Sequence, residues 1–154
     1  MLSNILKSKQ ILINLNVKNK KHLFQELSVR SALLNKSIND KILYNEIIKR
    51  ERLGNTSIGN GIAIPSALIG NITKTFVLFS LLIKPINYNS DYKKDVDIVC
   101  LVVSPSSSNS KHLYFLSNFS RIIKNADITN ELRGCDTPDS ILAVLSNYNF
   151  SSAA

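Results

Sequence analysis

Two runs, Phe76 to Ile83 and Val96 to Val103, constrain this chain more than anything else in it. The first is broken only by Ser80, and the second carries a single charge, Asp97. A strand with one wet face alternates apolar and polar side chains. Runs this continuous mark strands covered on both faces, so a sheet built on them needs helices on each side. Lys84-Pro85 is expected to end the first run, because proline supplies no ladder donor. Asn87 to Lys94 then reads as a turn. Neither run approaches the roughly 20 apolar residues that a membrane-spanning helix needs.

The rest of the chain supplies the cover. Residues 3 to 8 fit a helical turn, and Ile11, Ile13 and Leu15 alternate as an edge strand would. Lys20 to Leu34 reads as an amphipathic helix with Leu23, Leu27 and Leu34 on a common side. Asn39 can cap a second helix, where Ile42, Leu43, Ile47 and Ile48 supply the apolar face. That helix should end near Leu53-Gly54, which leaves Arg50 beside a glycine-rich stretch. Ser104 to Ser110 is a connector too short for a domain linker. Ser110 can cap a third helix, with Lys111 and His112 in its first turn and Leu113, Leu116, Phe119 and Ile123 on its apolar face. A short helix fits Ile128 to Arg133. In the last, Thr137 is the N-cap, Pro138 the first residue and Asp139 lies near the positive end. Ile141, Leu142 and Leu145 would pack it down. The class is α/β, read as one domain over residues 1–150, with Ser151 to Ala154 as a disordered tail.

Charge and cysteine usage narrow the function. The formal net charge of +8 leaves nucleic acid or an acidic partner open. The basic residues are scattered, as in Lys18-Asn19-Lys20-Lys21 and Lys93-Lys94, without interleaved aromatics. They read as solvated surface, and nucleic-acid binding is the weakest of the functional readings. Cys100 lies in an apolar run and Cys135 beside a turn, without CxxC spacing, as suits thiols in a reducing compartment. Met1 to Lys9 lacks the apolar core of a secretory leader. The expected location is cytoplasmic.

Residues 50 to 66 carry the chemistry: Arg-Glu-Arg-Leu-Gly-Asn-Thr-Ser-Ile-Gly-Asn-Gly-Ile-Ala-Ile-Pro-Ser. Gly54, Gly59 and Gly61 fall here, with Thr56, Ser57 and Asn60 among them. Such a loop can turn its amides inward around an anion. The spacing excludes two familiar phosphate loops. Asn60 and Gly61 stand where a Walker loop needs Lys and Ser/Thr, and Ile64 replaces the third glycine of a dinucleotide fingerprint. On spacing alone, a plain turn is the commoner use of such a stretch. Ile62, Ala63 and Ile64 read as a short strand ended by Pro65, which would present residue 66 at a fixed point beside the loop.

Arg50-Glu51 followed by Leu53 to Pro65 closely resembles the signature of enzyme IIA domains of the fructose/mannitol/nitrogen type, from the bacterial phosphoenolpyruvate phosphotransferase system. Gly59-Asn60-Gly61-Ile62-Ala63-Ile64-Pro65 looks most like the nitrogen-related branch, and the similarity runs from about residue 3 to about 147. It implies a three-layer sandwich around a mixed, roughly five-stranded sheet. It also implies that a histidine after the proline takes phosphoryl from a small phosphocarrier protein. Here that position is Ser66, and the usual Gly-Lys that follows is Ala67-Leu68. His112 matches the family's second histidine, which hydrogen-bonds the phosphoryl group, and Arg50 its active-site arginine. Thr56, Ser57, Gly59, Asn60 and Gly61 complete the expected phosphate- or partner-binding set. Glu51 is expected to bond loop amides or pair with a base, and His22 to lie on the surface. No cofactor or metal is implied.

An imidazole nitrogen attacks and donates again readily, whereas a serine hydroxyl needs a base and its phosphate ester is a poor onward donor. The favoured reading is therefore a regulator acting by protein contact, blocked from normal histidine phosphotransfer. The resemblance implies transporters and sensor kinases as targets of such contacts. The alternative is an active phosphocarrier using Ser66, with His112 as base, or His112 itself.

Overall fold

The computed structural model describes residues 5–148. A 3₁₀ turn at Ser8–Gln10 leads into β1 (Ile11–Leu15), α1 (Lys20–Leu34) and α2 (Asp40–Leu53). Next come β2 (Ser57–Gly59), β3 (Ile62–Ala63), β4 (Ser66–Ile69), β5 (Phe76–Ile86) and β6 (Val96–Pro105). The helices α3 (Asn109–Ile123), α4 (Ala126–Arg133) and α5 (Pro138–Ser146) follow.

The two apolar runs form the centre of the sheet, whose order is β1-β5-β6-β3-β2 with β4 also on β6. They pair antiparallel, from Phe76↔Val103 to Leu81↔Ile98, while β1 runs parallel to β5 and both β3 and β4 run parallel to β6. Six strands are present where about five were implied. The register explains the difference. Ile62 faces Ile98 and Ser66 faces Val102, the same offset, so β3 and β4 are one path interrupted at Ile64-Pro65. Pro65 therefore does not end the strand. It lacks a donor, but its carbonyl accepts from Val102 N at 3.0 Å, and the path resumes at Ser66. Pro85 likewise lies within β5, in the stretch between Leu81 and Ile86 where the pairing shifts register.

Each face of the sheet has its own core. α1 and α2 cover one, where Leu23, Leu27, Leu43 and Ile47 meet Leu78, Val99 and Leu101. α3, α4 and α5 cover the other, where Phe119, Ile123, Leu132 and Ile141 meet Val77, Phe79 and Cys100. Asn39 caps α2 through Ile42 N at 3.0 Å, and Thr137 caps α5 through Ser140 N at 3.1 Å.

Several expectations shift. Ile42 and Leu113 are exposed rather than packed, because the helix phase puts Leu43 and His112 inward in their place. α3 starts after Ser108, not Ser110, and α4 starts at Ala126 behind an Asn125 cap. The helical turn falls at Ser8–Gln10 rather than residues 3 to 8, of which 3 and 4 lie outside the described residues. In β1, Asn14 has a φ of 59°, which breaks the alternation and sends Ile11 and Leu15 to opposite cores. The expected tail, Ser151 to Ala154, also lies outside the described residues.

Candidate functional site

Strand alternation places the first site residue. Ile62 and Ile64 point to the α3–α5 core, and Ala63 and Ala67 to the α1–α2 core. Ser66 accordingly faces α3. On β6, Cys100 and Val102 share that side, and Ser104 continues it at the strand end. His112, in the first turn of α3, reaches down to Ser104: its Nδ1 lies 2.6 Å from Ser104 Oγ. Arg50 arrives from the last turn of α2, held by a 2.9 Å bond from Nη1 to Gly54 O.

These three elements enclose an open cavity of about 260 Å³, lined by Arg50, Leu53, Ser66, Leu68, His112 and Leu113 among others. Ser66 is 2% exposed and His112 5%. Burial, aided by the positive charge of Arg50, lowers the His112 pKa below its ordinary value. The helix N-terminus acts the same way, so the ring is neutral near pH 7. A neutral imidazole, a guanidinium and a hydroxyl on one wall make a pocket suited to an anion, with exposed Leu53 and Leu113 forming an apolar rim.

The glycine stretch is built for something else. Asn60 and Gly61 both have positive φ, 55° and 75°, as the two central residues of a tight hairpin joining β2 to β3. Asp97 N and Ile98 N donate to Gly61 O, and Arg133 donates to Asn60 O at 2.6 Å while forking onto the Asp97 carboxylate. The Asn60 side chain bonds Thr129 Oγ1. Gly61 sits at Asp97 and Ser66 at Val102 along β6, a separation of roughly 16 Å at about 3.3 Å per residue. Gly59, Asn60 and Gly61 thus hold a turn and do not cradle the cavity. The Asn-Gly dipeptide between apolar residues was the signal for it.

Thr56 and Ser57 are also engaged within the fold. Thr56 donates to Glu51 through N at 2.9 Å and Oγ1 at 2.6 Å, and shares a 2.8 Å bond with Tyr88 OH. Ser57 Oγ donates to Ile62 O at 3.4 Å. Glu51 does bond a loop amide and pair with a base, Lys20, at 2.9 Å. Lys20 Nζ also lies 4.3 Å over the Tyr88 ring. Burial, then the nearby Glu51 carboxylate, pushes the Tyr88 pKa well up, so this network holds a neutral phenol. His22 Nδ1 accepts from Lys18 N, and His22 does not line the cavity. No cluster of potential metal ligands occurs among the described residues.

Sequence reasoning missed Ser104 and Thr75, whose hydroxyls are 3.3 Å apart behind His112. Ser104 could have been noticed as a polar residue closing an apolar strand on the Ser66 side; Thr75 gave no local signal.

Fold and cavity define a three-layer IIA-type protein, and comparison with known proteins gives the family. The chain belongs to the phosphoenolpyruvate-dependent sugar phosphotransferase system EIIA 2 family, whose model matches residues 4–148. It is 32% identical over 144 residues to the nitrogen regulatory protein of Bradyrhizobium diazoefficiens, covering 94% of each chain. The crystal structure of nitrogen regulatory protein IIA-Ntr from Neisseria meningitidis has the same fold, with a TM-score of 0.86 at 23% identity over 94% of this chain and 98% of that one. The enzyme IIA of mannitol from Escherichia coli, solved in complex with phosphorylated enzyme IIB, matches with a TM-score of 0.76 at 14% identity, over 93% and 98%. No helix among the described residues is long and apolar enough to cross a membrane.

Proposed function

We propose that this chain is a cytoplasmic, nitrogen-regulatory IIA-type protein that acts by contact with other proteins and does not sustain histidine phosphotransfer. The observation that carries the reading is the cavity itself. Arg50 and His112 stand on its wall with Glu46, Lys49 and Asn109, and beside them lies Ser66, an alcohol at the position that resembles the family's phosphoacceptor. Phosphorylation changes a docking face by up to about two negative charges, so its absence fixes one binding state. The partners proposed are a phosphocarrier of the same system, docking over exposed Leu53 and Leu113 beside Arg50, and regulatory targets such as transporters and sensor kinases.

Intact-mass measurement after incubation with a phosphorylated carrier tests this. We expect no addition to the natural chain and stoichiometric addition to Ser66→His, because the rest of the wall is in place. Stoichiometric phosphate on Ser66 itself would overturn the proposal. The second reading, an active phosphocarrier, draws on the neutral ring of His112 in the same cavity as Ser66. It requires transfer that His112→Ala abolishes.

A further inference from the structure

The hydroxyls behind His112 have a direction, and the direction decides what the ring can do. Ser104 is fully buried and has one hydrogen to give, to His112 Nδ1 at 2.6 Å or to Thr75 Oγ1 at 3.3 Å. A bond from N–H to oxygen centres near 2.9 Å, whereas hydroxyl donors make contacts nearer 2.7 Å. The shorter link therefore receives the Ser104 proton, and the longer one is left for Thr75 to donate into Ser104. A neutral imidazole has one N–H, so a ring accepting at Nδ1 carries its proton on Nε2. Thr75 also lines a separate polar cavity of about 630 Å³ together with Lys74, Ser108 and Lys111. The far end of the chain thus reaches solvent, where water can donate to the lone pairs of the threonine oxygen.

We propose that Ser104 and Thr75 are positioning residues that hold His112 in the Nε2–H tautomer, so that the ring presents a donor rather than a lone pair to the Ser66 cavity. A donor at Nε2 suits an anion held between His112 and Arg50. It cannot accept the Ser66 proton, so the same arrangement withholds a general base from that hydroxyl. The reverse direction, Nδ1–H into Ser104 and Ser104 into Thr75, would turn the Nε2 lone pair toward the cavity that Ser66 lines. The inference deepens the proposed function and rests on it for the identity of the anion. The tautomer itself is measured without any phosphate donor, so the two can fail separately.

Long-range ¹⁵N–¹H correlation spectra of the full chain near pH 7.5 read the tautomer directly. His22 is an internal reference, because its Nδ1 accepts a backbone N–H from Lys18 at 3.1 Å and so its proton is on Nε2. His112 is expected to give the same pattern as His22. Ser104→Ala should convert it to a mixture of tautomers, Thr75→Val should weaken the bias less, and Ser104→Thr should restore it. A His112 pattern with Nδ1 protonated in the natural chain overturns the proposal, as does a spectrum unmoved by both Ser104→Ala and Thr75→Val. If Ser104→Ala does not fold, the natural-chain spectrum and Thr75→Val decide it.

Discussion

The hairpin at Asn60-Gly61 and the cavity at Ser66 lie within one short stretch of sequence, rich in the residues that hold phosphate, yet the fold uses them oppositely. At the hairpin, polar groups face inward to one another. The carbonyls of Asn60 and Gly61 are taken by Arg133 and by β6, and the Asn60 amide by Thr129. At the cavity, among the described residues, the His112 ring is bonded through Nδ1 and Arg50 through Nη1 to Gly54 O, which leaves polar atoms facing the open cavity. Glycine and small polar residues are a site only where the fold has not already used their hydrogen bonds.

The largest effect that can separate the two regions is on stability. A Cβ on Gly61, at a φ of +75°, would stand 2.6 Å from Arg133 Nη2, 3.0 Å from Asp97 Oδ1 and 3.3 Å from the Asp95 carbonyl. The left-handed backbone alone costs roughly 1–2 kcal/mol with a side chain, and displacing the Arg133–Asp97 fork adds about 1 kcal/mol. Gly61→Ala is expected to lower unfolding free energy by about 2–3 kcal/mol in urea titrations. Gly59→Ala, at a φ of +91°, carries the same backbone cost but should lose less, since the nearest atoms to its Cβ belong to the ring of half-exposed Tyr92, at 3.1 Å. In a Ser66→His background, Gly61→Ala should still be phosphorylated. Loss of phosphorylation in a folded Gly61→Ala protein would rejoin the two regions into one site.

This division explains what the sequence could and could not reveal. The apolar runs at Phe76 and Val96 announced a sheet covered on both sides because that constraint is local and periodic. Asn39 and Thr137 stood at helix starts for equally local reasons, each accepting from a backbone N–H three residues on. Arg50, Ser66 and His112 could be assembled only through a resemblance, since β4, α2 and α3 meet by tertiary packing. Spacing alone could not tell the turn from the cradle. That depended on Arg133, Asp97 and Thr129, all far along the chain from Gly61. Ile42 and Leu113 failed as core residues because a helical stripe is wider than the face its neighbours cover.

A second, smaller effect belongs to Arg50. Its guanidinium is exposed apart from the bond to Gly54 O, so Arg50→Gln should change stability by less than about 0.5 kcal/mol. A charged hydrogen bond to a phosphoryl oxygen contributes about 1.5–3 kcal/mol, or roughly ten- to hundredfold in rate. In the Ser66→His background, Arg50→Gln is therefore expected to slow phosphorylation by that factor while the urea midpoint holds. A midpoint that falls with an unchanged rate would make Arg50 a structural residue like Arg133.

The smallest effect is a pH dependence, and its sign follows from His112. Burial first, then Arg50, lowers its folded pKa below the ordinary 6.5. Between those two values the unfolded chain binds more protons at this residue than the native one, so stability rises with pH across that window. The contribution is complete above about pH 6.5 and is lost as pH falls through the folded pKa. His112→Asn removes the titrating group while its amide can still reach Ser104. Carboxylates titrate in both proteins, so the informative quantity is the difference between their stability curves. That difference should grow in the natural chain's disfavour as pH drops below about 6.5. In the Arg50→Gln protein, compared with its own His112→Asn variant, it should grow less, since one of the two causes of the shift is gone. A difference independent of pH would mean that neither burial nor Arg50 acts on the ring, and the contrast between the spent hairpin and the open cavity would lose its chemical side.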